Sequence, residues 1–294
     1  MFLVTPIARA IQDAGVFSWD FGMTLMNLVL PRRKVDHVTP AGHPGEGGKW
    51  PEYIAPKEGG SRCSCPGLNA MANHGILPHD GKNISFPELY STVRETYNFS
   101  PSFCFYVANF AARMLNKSYG KDRVDLADID LHSDLGIEHD ASLLRQDVHF
   151  VKDQGKPHLP FVRELLDAAS GKDNEGNPAF TAADISRVLS KRRAESRANN
   201  PEFHMALSHR LFSSSNSCTI LTIFGSRVSD LESIFIEERL PEGWESRVRE
   251  PFGLTIAALQ PTVLKVALGI DERPYAAEAS STAAAESGEP NPAA

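Results

Sequence analysis

The chain has 294 residues, 41% of them hydrophobic, and a net charge of −7, which is enough apolar material for a sizeable core in one large domain or two small ones. The acidic balance, with no basic run interleaved with aromatics, argues against a nucleic-acid partner. Four cysteines (Cys63, Cys65, Cys104 and Cys218) are too few for a disulfide scaffold of this length and match no paired C-x-x-C zinc pattern, leaving only a weak C-x-C pair at Cys63 and Cys65.

Residues 1–37 read as a separate N-terminal segment. Ile7 to Leu30 is apolar, but Arg9, Asp13 and Asp20 interrupt it and Pro31-Arg32-Arg33-Lys34 closes it, which is poor material for a spanning helix. The expectation is an amphipathic segment packed on the body, with peripheral membrane contact through residues 1–31 as the alternative. No basic n-region, apolar core and small-residue cleavage site appear in order, so an intracellular or membrane-associated chain is expected over a secreted one. Sequons at Asn83, Asn98 and Asn116 would matter only on the secretory route.

Residues 38–275 carry the main domain. Val38 to Arg62 holds four prolines and six glycines and should wrap the surface irregularly. A short helix is expected at Leu68, another near Glu88 to Tyr97, and a longer one from Pro101, with Phe103, Val107, Phe110, Ala111 and Met114 at spacings of three and four. Cys104 reads as core in that helix. Leu159 to Ala169 reads as a buried helix and Lys172 to Pro178 as a turn. Thr181 and Asp184 form a capping box for a helix reaching about Ala198, where Asn199-Asn200-Pro201 stops it. Further helical patterns cover Phe203 to Leu211, Cys218 to Phe224 and Pro251 to Leu268, and the 276–294 tail, rich in Ala, Ser, Glu and Pro, is expected to be disordered. Strand-like alternation is scarce, so the fold class is mainly α.

Three clusters carry chemistry. Pro66 suits the first position of a helix and makes Cys65 its cap, so the amides of Leu68 and Asn69 would point at the sulfur and favour a thiolate; an inert small hydrophobe is the plainer reading of Cys65 taken alone. Glu138-His139-Asp140-x-Ser142 puts two carboxylates, an imidazole and a hydroxyl within five residues, a set able to offer hard oxygens to a magnesium-like cation or to form a solvated turn capped by Asp140. Ile185, Val188, Arg192 and Glu195 make an inward stripe that ends in a carboxylate, which must be solvated by a cavity or paired with Arg192 or Arg193.

Cys65-Pro66, Leu68-Asn69-Ala70, Ala72-Asn73-His74-Gly75, Leu77-Pro78, Asp80-Gly81 and Ile84-Ser85 together resemble the ligand segment of the haem-thiolate peroxidases, the fungal chloroperoxidases and unspecific peroxygenases. That family usually has proline where this chain has Ser64. The resemblance spans roughly Trp50 to Gly225. It implies a single helical domain with long loops, haem b with the Cys65 thiolate as axial ligand, and a magnesium-like cation near a haem propionate on Glu138, the His139 carbonyl and Ser142. Arg193-x-Glu195-Ser196-x-x-Asn199 resembles the segment that carries the acid-base glutamate, which implies Glu195 with His139 beside it. A histidine in the E-H-D triplet marks the short type, since the longer peroxygenases have glycine there and pair the glutamate with an arginine. The implied activity uses hydrogen peroxide to oxygenate, or oxidise by one electron, a small apolar organic substrate, with halide oxidation as a variant. A membrane-attached haem oxidase dedicated to one pathway, or a haem-binding protein without turnover, are the alternatives.

Overall fold

The structure is a computed structural model that describes residues 4–287, with side chains described for residues 7–280. The described residues form ten helices and two small two-stranded sheets, a mainly α architecture. They are α1 (Val4–Val29), α2 (Pro66–Asn73), α3 (Phe86–Tyr97), α4 (Pro101–Met114), α5 (Leu159–Asp167), α6 (Ala182–Asn199), α7 (Leu207–Leu221), α8 (Val228–Glu232), α9 (Ile256–Leu268) and α10 (Arg273–Ser287). Strands β1 (Ile84–Ser85) and β2 (Arg123–Val124) pair antiparallel, as do β3 (Gly171–Lys172) and β4 (Pro178–Ala179), so the turn expected after Lys172 is a small hairpin.

Local chemistry sets the helix starts. Ser85 accepts the Glu88 amide and Glu88 reaches back to the Ser85 amide, so a reciprocal box opens α3. Thr181 and Asp184 do the same for α6, as the sequence indicated. Proline occupies the first turn of α2, α3, α4 and α5, where no amide partner is needed. The two patterns read at Phe203–Leu211 and Cys218–Phe224 belong to one helix, α7, because Ser213, Ser214 and Ser217 between them are buried and the small polar residues continue the packed face.

The expected disordered tail is corrected in part. Residues 276–287 continue α10, which packs on α6 through the buried Ala279, while Glu272 just ahead of α10 binds Arg197; the alanine-rich composition that suggested disorder also favours helix. Residues 288–294 lie outside the described residues.

Helices α3 and α4 pack on each other, α1 lies across α4 and α9, and α9 in turn meets α6 and α7. In the core, Trp244 stands within 5.6–6.1 Å of the rings of Phe224, Tyr97 and Trp50. The Tyr97 hydroxyl donates to the Gly67 carbonyl at 2.7 Å, so this aromatic group supports the start of α2. Asn98 ends α3 in the left-handed region; its amide nitrogen, buried, donates to the carbonyls of Val248 and Glu250. Asn83 and Asn116 are exposed turn residues with φ of 55° and 53°.

Helix α1 is joined to the body by polar contacts rather than by a broad apolar seam. The buried Asp20 carboxylate accepts the amides of Ile256 and Ala257 at the start of α9 at 3.0 and 2.9 Å, and the Ser102 hydroxyl besides. Asp13 pairs with Arg113 at 2.9 Å. Replacing Asp20 by Ala should therefore cost about 2 kcal/mol or more of stability, since hydrogen bonds to a buried charge are among the stronger ones; urea unfolding followed by circular dichroism measures it, and a loss below about 0.5 kcal/mol would mean that α1 is not fastened there.

Candidate active site around Cys65

Cys65 caps α2 with extended backbone (φ −82°, ψ 108°) and Pro66 follows at the first helical position. The amides that face its sulfur are those of Gly67 and Leu68, one residue ahead of the pair expected from the sequence. They and the Arg145 guanidinium draw the thiol pKa down, but the mass of protein around the sulfur outweighs them and holds it above its ordinary value. Cys65 is at the same time the exposed cysteine of the four, although enough protein surrounds its sulfur to raise the thiol. Cys63 is buried, its thiol lying 3.6 Å from the Asn69 side-chain oxygen and 3.8 Å from the Cys65 carbonyl oxygen, and neither cysteine is in a disulfide. Cys104 and Cys218 are core, and burial raises the Cys218 thiol to about 12.

The residues that surround Cys65 in the sequence hold its loop in place. Asn69 accepts the Cys63 amide at 3.0 Å and donates to the Cys63 carbonyl and to Glu238. Asn73 accepts two bonds from Arg62 and donates to the Glu238 carbonyl. His74 bonds the Pro51 carbonyl and accepts the Leu240 amide, which fixes it as a neutral bridge. At Gly81, φ is 66° and an added Cβ would fall 2.1 Å from the Ser61 carbonyl oxygen, so only glycine lets the chain return past the Cys65 loop. Beneath α2, Glu238 and Arg145, both buried, meet at 2.6 Å; the Arg145 Nη1 has no hydrogen-bond partner among the described residues.

Ser64 joins the first signature to the second. Its amide and hydroxyl both donate to Asp130, at 2.9 and 2.8 Å, and its hydroxyl also lies in reach of the Glu138 carboxylate. Proline at this position would lack the donors, so a hydrogen-bonded clamp takes the place of a rigid ring. Burial and the neighbouring Glu138 raise Asp130 to about 7. Glu138 is buried and its pKa is raised by that burial, against the pull of Ser64, the His139 amide and Arg145. Ser142 is half-buried on the same loop, its hydroxyl accepting the Leu144 amide. The Ala141 backbone between them takes φ 61°, held by its amide on Asp147.

His139 lies near His209 on α7, with ring centres 6.2 Å apart, and within electrostatic reach of Arg193 on α6. Its Nδ1 lies 2.7 Å from the Asp140 carbonyl oxygen, which assigns the proton to Nδ1 and leaves Nε2 as an acceptor. Burial and Arg193 lower its pKa below the ordinary value. His209 has both nitrogens engaged, with the Ser133 carbonyl and the Ala206 amide. Arg193 is buried, and its Nε and Nη2 have no hydrogen-bond partner among the described residues.

Glu195 stands elsewhere. Its carboxylate bonds Arg192 at 2.6 Å and Lys191 at 3.1 Å, in a group that includes Glu164 of α5, and no contact among the described residues joins it to His139. Ile185, Val188 and Arg192 are buried as the stripe required, while the Glu195 side chain keeps 28% of its surface. The cause is helical geometry: residues two apart on a helix diverge by about 200°, so with Arg193 toward His139, Glu195 faces the opposite side. The ion pair weighed for Glu195 in the sequence is the arrangement found, and the expected neighbour of His139 is replaced by Arg193.

A sequence model of the family described as "Peroxidase, family 2" matches residues 51–249, about two thirds of the chain. The chain belongs to this family. Membership in peroxidase family 2 makes it an oxidoreductase of the peroxide-using class and implies a haem cofactor. The chain is 30% identical over 182 residues to an aromatic peroxygenase of Coprinellus radians, covering 52% of this chain and 67% of that protein. It is 52% identical over 44 residues to a chloroperoxidase of Leptoxyphium fumago, 15% of this chain and 12% of the other. A dothistromin biosynthesis peroxidase, dotB, of Dothistroma septosporum is 25% identical over 193 residues, 59% of this chain and 44% of its own. The chain thus spans less than half the length of two of these three relatives.

The sequence reading missed Asp130, Arg145, Glu238 and Arg193. Arg145 was visible as a cation in an apolar run beside the E-H-D triplet, but its partner lies 93 residues away. Asp130 gives a measurable signature. Its folded pKa lies above the ordinary 3.8, so the native state binds the extra proton and stability falls as pH rises from about 4 to about 7. Asp130→Asn should flatten the fall of melting temperature across that interval relative to the unaltered chain; equal slopes in both would show that the clamp does not titrate there.

Proposed function

We propose that this protein is a haem-thiolate peroxidase or peroxygenase that uses hydrogen peroxide to oxidise small apolar organic molecules. The observation that carries the reading is Cys65, an exposed cysteine at a helix start, with the Gly67 and Leu68 amides turned on its sulfur. The donor set fits the group: a helix start that stabilises a thiolate, with the unpartnered Arg145 Nη1 nearby to take a porphyrin carboxylate. Glu138, the His139 carbonyl and Ser142 would hold a magnesium-like cation beside such a carboxylate, through hard oxygens. When bound, thiolate-ligated haem supplies the oxidising equivalents drawn from peroxide.

The chain's own part is proton handling and exclusion of water. His139, neutral at working pH and with Nε2 open, is the group suited to accept a proton there and return it. Arg193 beside it offers two unpaired guanidinium nitrogens to negative charge. Glu195, neutralised by Lys191 and Arg192, is held out of that role. Ile137, partly buried, directly precedes Glu138 and favours an apolar substrate such as a fatty acid, terpene or aromatic, with Phe103 and Phe110 as further partly buried apolar groups of the core; halide oxidation would use the same proton chemistry.

The first test is the absorption spectrum of reduced, carbon monoxide-treated protein supplied with haem. A strongly red-shifted Soret band that is lost in Cys65→Ala is expected, and a histidine-type spectrum in folded protein would overturn the ligand assignment. In peroxide turnover, His139→Gln should lower kcat/KM by about 10²-fold or more, and Glu195→Gln by less than about threefold, with haem retained in both. The reverse order would return the role to Glu195. Because the His139 pKa is lowered, the acid limb of the kcat/KM profile should fall below about pH 6.5, the value of an ordinary histidine.

A further inference from the structure

Helix α1 is inside out. Arg9, Asp13, Val16, Asp20, Met23 and Asn27 recur at alternating spacings of four and three, which puts every charged residue of the helix on one side. That side is the one turned to the body. Val16, Asp20 and Met23 are buried there, Asp13 holds Arg113, and the Asn27 side chain donates to the Gly253 carbonyl. On the opposite side Ile7, Ile11, Ala14, Ser18, Phe21 and Leu25 follow the same spacing and face outward, with Ile11 68% exposed. Ser18 closes its hydroxyl on the Ala14 carbonyl, so it leaves little polarity on that side.

The flanks of this stripe decide what covers it. Leu28 and Phe17 border one edge, Trp19 and Met26 the other, all of them exposed, so an arc of about 200° (at 3.6 residues per turn) carries no charged side chain from Ile7 to Val29. A partner helix covers a narrower seam and is bordered by charged residues. A bilayer surface accepts the whole arc. The exposed apolar area is a ridge along a helix of about 39 Å at 1.5 Å per residue, more than a soluble monomer ordinarily leaves to water. No described helix is long and apolar enough to cross a membrane. Arg32, Arg33 and Lys34 follow directly at the end of the ridge; Arg33 turns its guanidinium to the Val38 and Pro251 carbonyls and Arg32 pairs with Glu250 at 2.9 Å, so the exposed Lys34 and Arg32, whose side chain stays 66% exposed, are the basic groups that phosphate headgroups would meet.

We propose that α1 docks the protein on a phospholipid bilayer, lying in the plane of the interface with Ile7, Ile11, Phe21, Leu25 and Val29 in the acyl boundary and Trp19 at its edge. The inference does not rest on the chemistry assigned to Cys65. The test is flotation of the full chain with vesicles of phosphatidylcholine alone and with one third phosphatidylserine. Binding to both, stronger with phosphatidylserine, and a blue shift of Trp19 emission are expected; Ile11→Asp with Leu25→Asp should reduce partitioning at least tenfold at unchanged melting temperature. Both positions face away from the body, and Trp19→Phe identifies the emission that moves. Binding confined to phosphatidylserine vesicles and unaffected by the double variant would overturn the proposal in favour of simple charge attraction. A soluble dimer that the double variant dissociates, with no vesicle binding, would overturn it in favour of a second copy on the same face.

Discussion

The Cys65 loop rests on one buried carboxylate. Glu238 leaves the irregular turn after α8 with its backbone in the left-handed region and places its side chain under α2, where Arg145 and Asn69 share one of its oxygens. Asn69 in turn grips the backbone of Cys63 on both sides, and the Glu238 carbonyl is held by Asn73. An ion pair at such depth recovers its desolvation only if its remaining valences are met, and removal of one partner is far costlier than loss of both. The Arg145 Nη1 is left without a partner among the described residues, while Asn69 meets the carboxylate and Asn73 the backbone carbonyl of Glu238. The two asparagines keep the loop, and the cysteine on it, in one conformation.

Much of the architecture could be read from residue patterns because its causes are local. Proline at a helix start, Thr181 answered by Asp184 and Ser85 by Glu88 all act within a few residues, and periodicity does the rest. The division of α7 and the disorder expected after Ala276 were misread for the opposite reason: buried serines and an alanine-rich run gain their structure from α9 and α6, and no local signal reports a distant partner. The Ser64 clamp is of the same kind, since Asp130 is 66 residues on.

Two of the three residue clusters read in the sequence come together in the fold, and the third does not join them. Cys65 and Glu138 belong to loops, where a contiguous string of residues can be read as such, and Ser64 brings the two together. Glu195 is on a helix, where the identity of a residue says less than its angular position. A shift of two places turns a carboxylate toward α5 and an arginine toward His139. Counting the stripe from Ile185 correctly predicted burial as far as Arg192, but the stripe drifts around the helix and its last member falls at the edge, where Lys191 and Arg192 neutralise it.

The three sequons are not equivalent. Asn83 and Asn116 are exposed at tight turns that would carry a glycan without disturbing anything beneath them. Asn98 spends its amide on two carbonyls of the segment leading to α9 and is sealed from solvent. A sugar attached there while the chain was still unfolded would deny α3 its closing residue and hold the segment from Val248 to Leu254 away from the body. Sugar at Asn98 and the native fold are thus mutually exclusive, and any molecule that acquired one would be committed to quality control before its cofactor site could form.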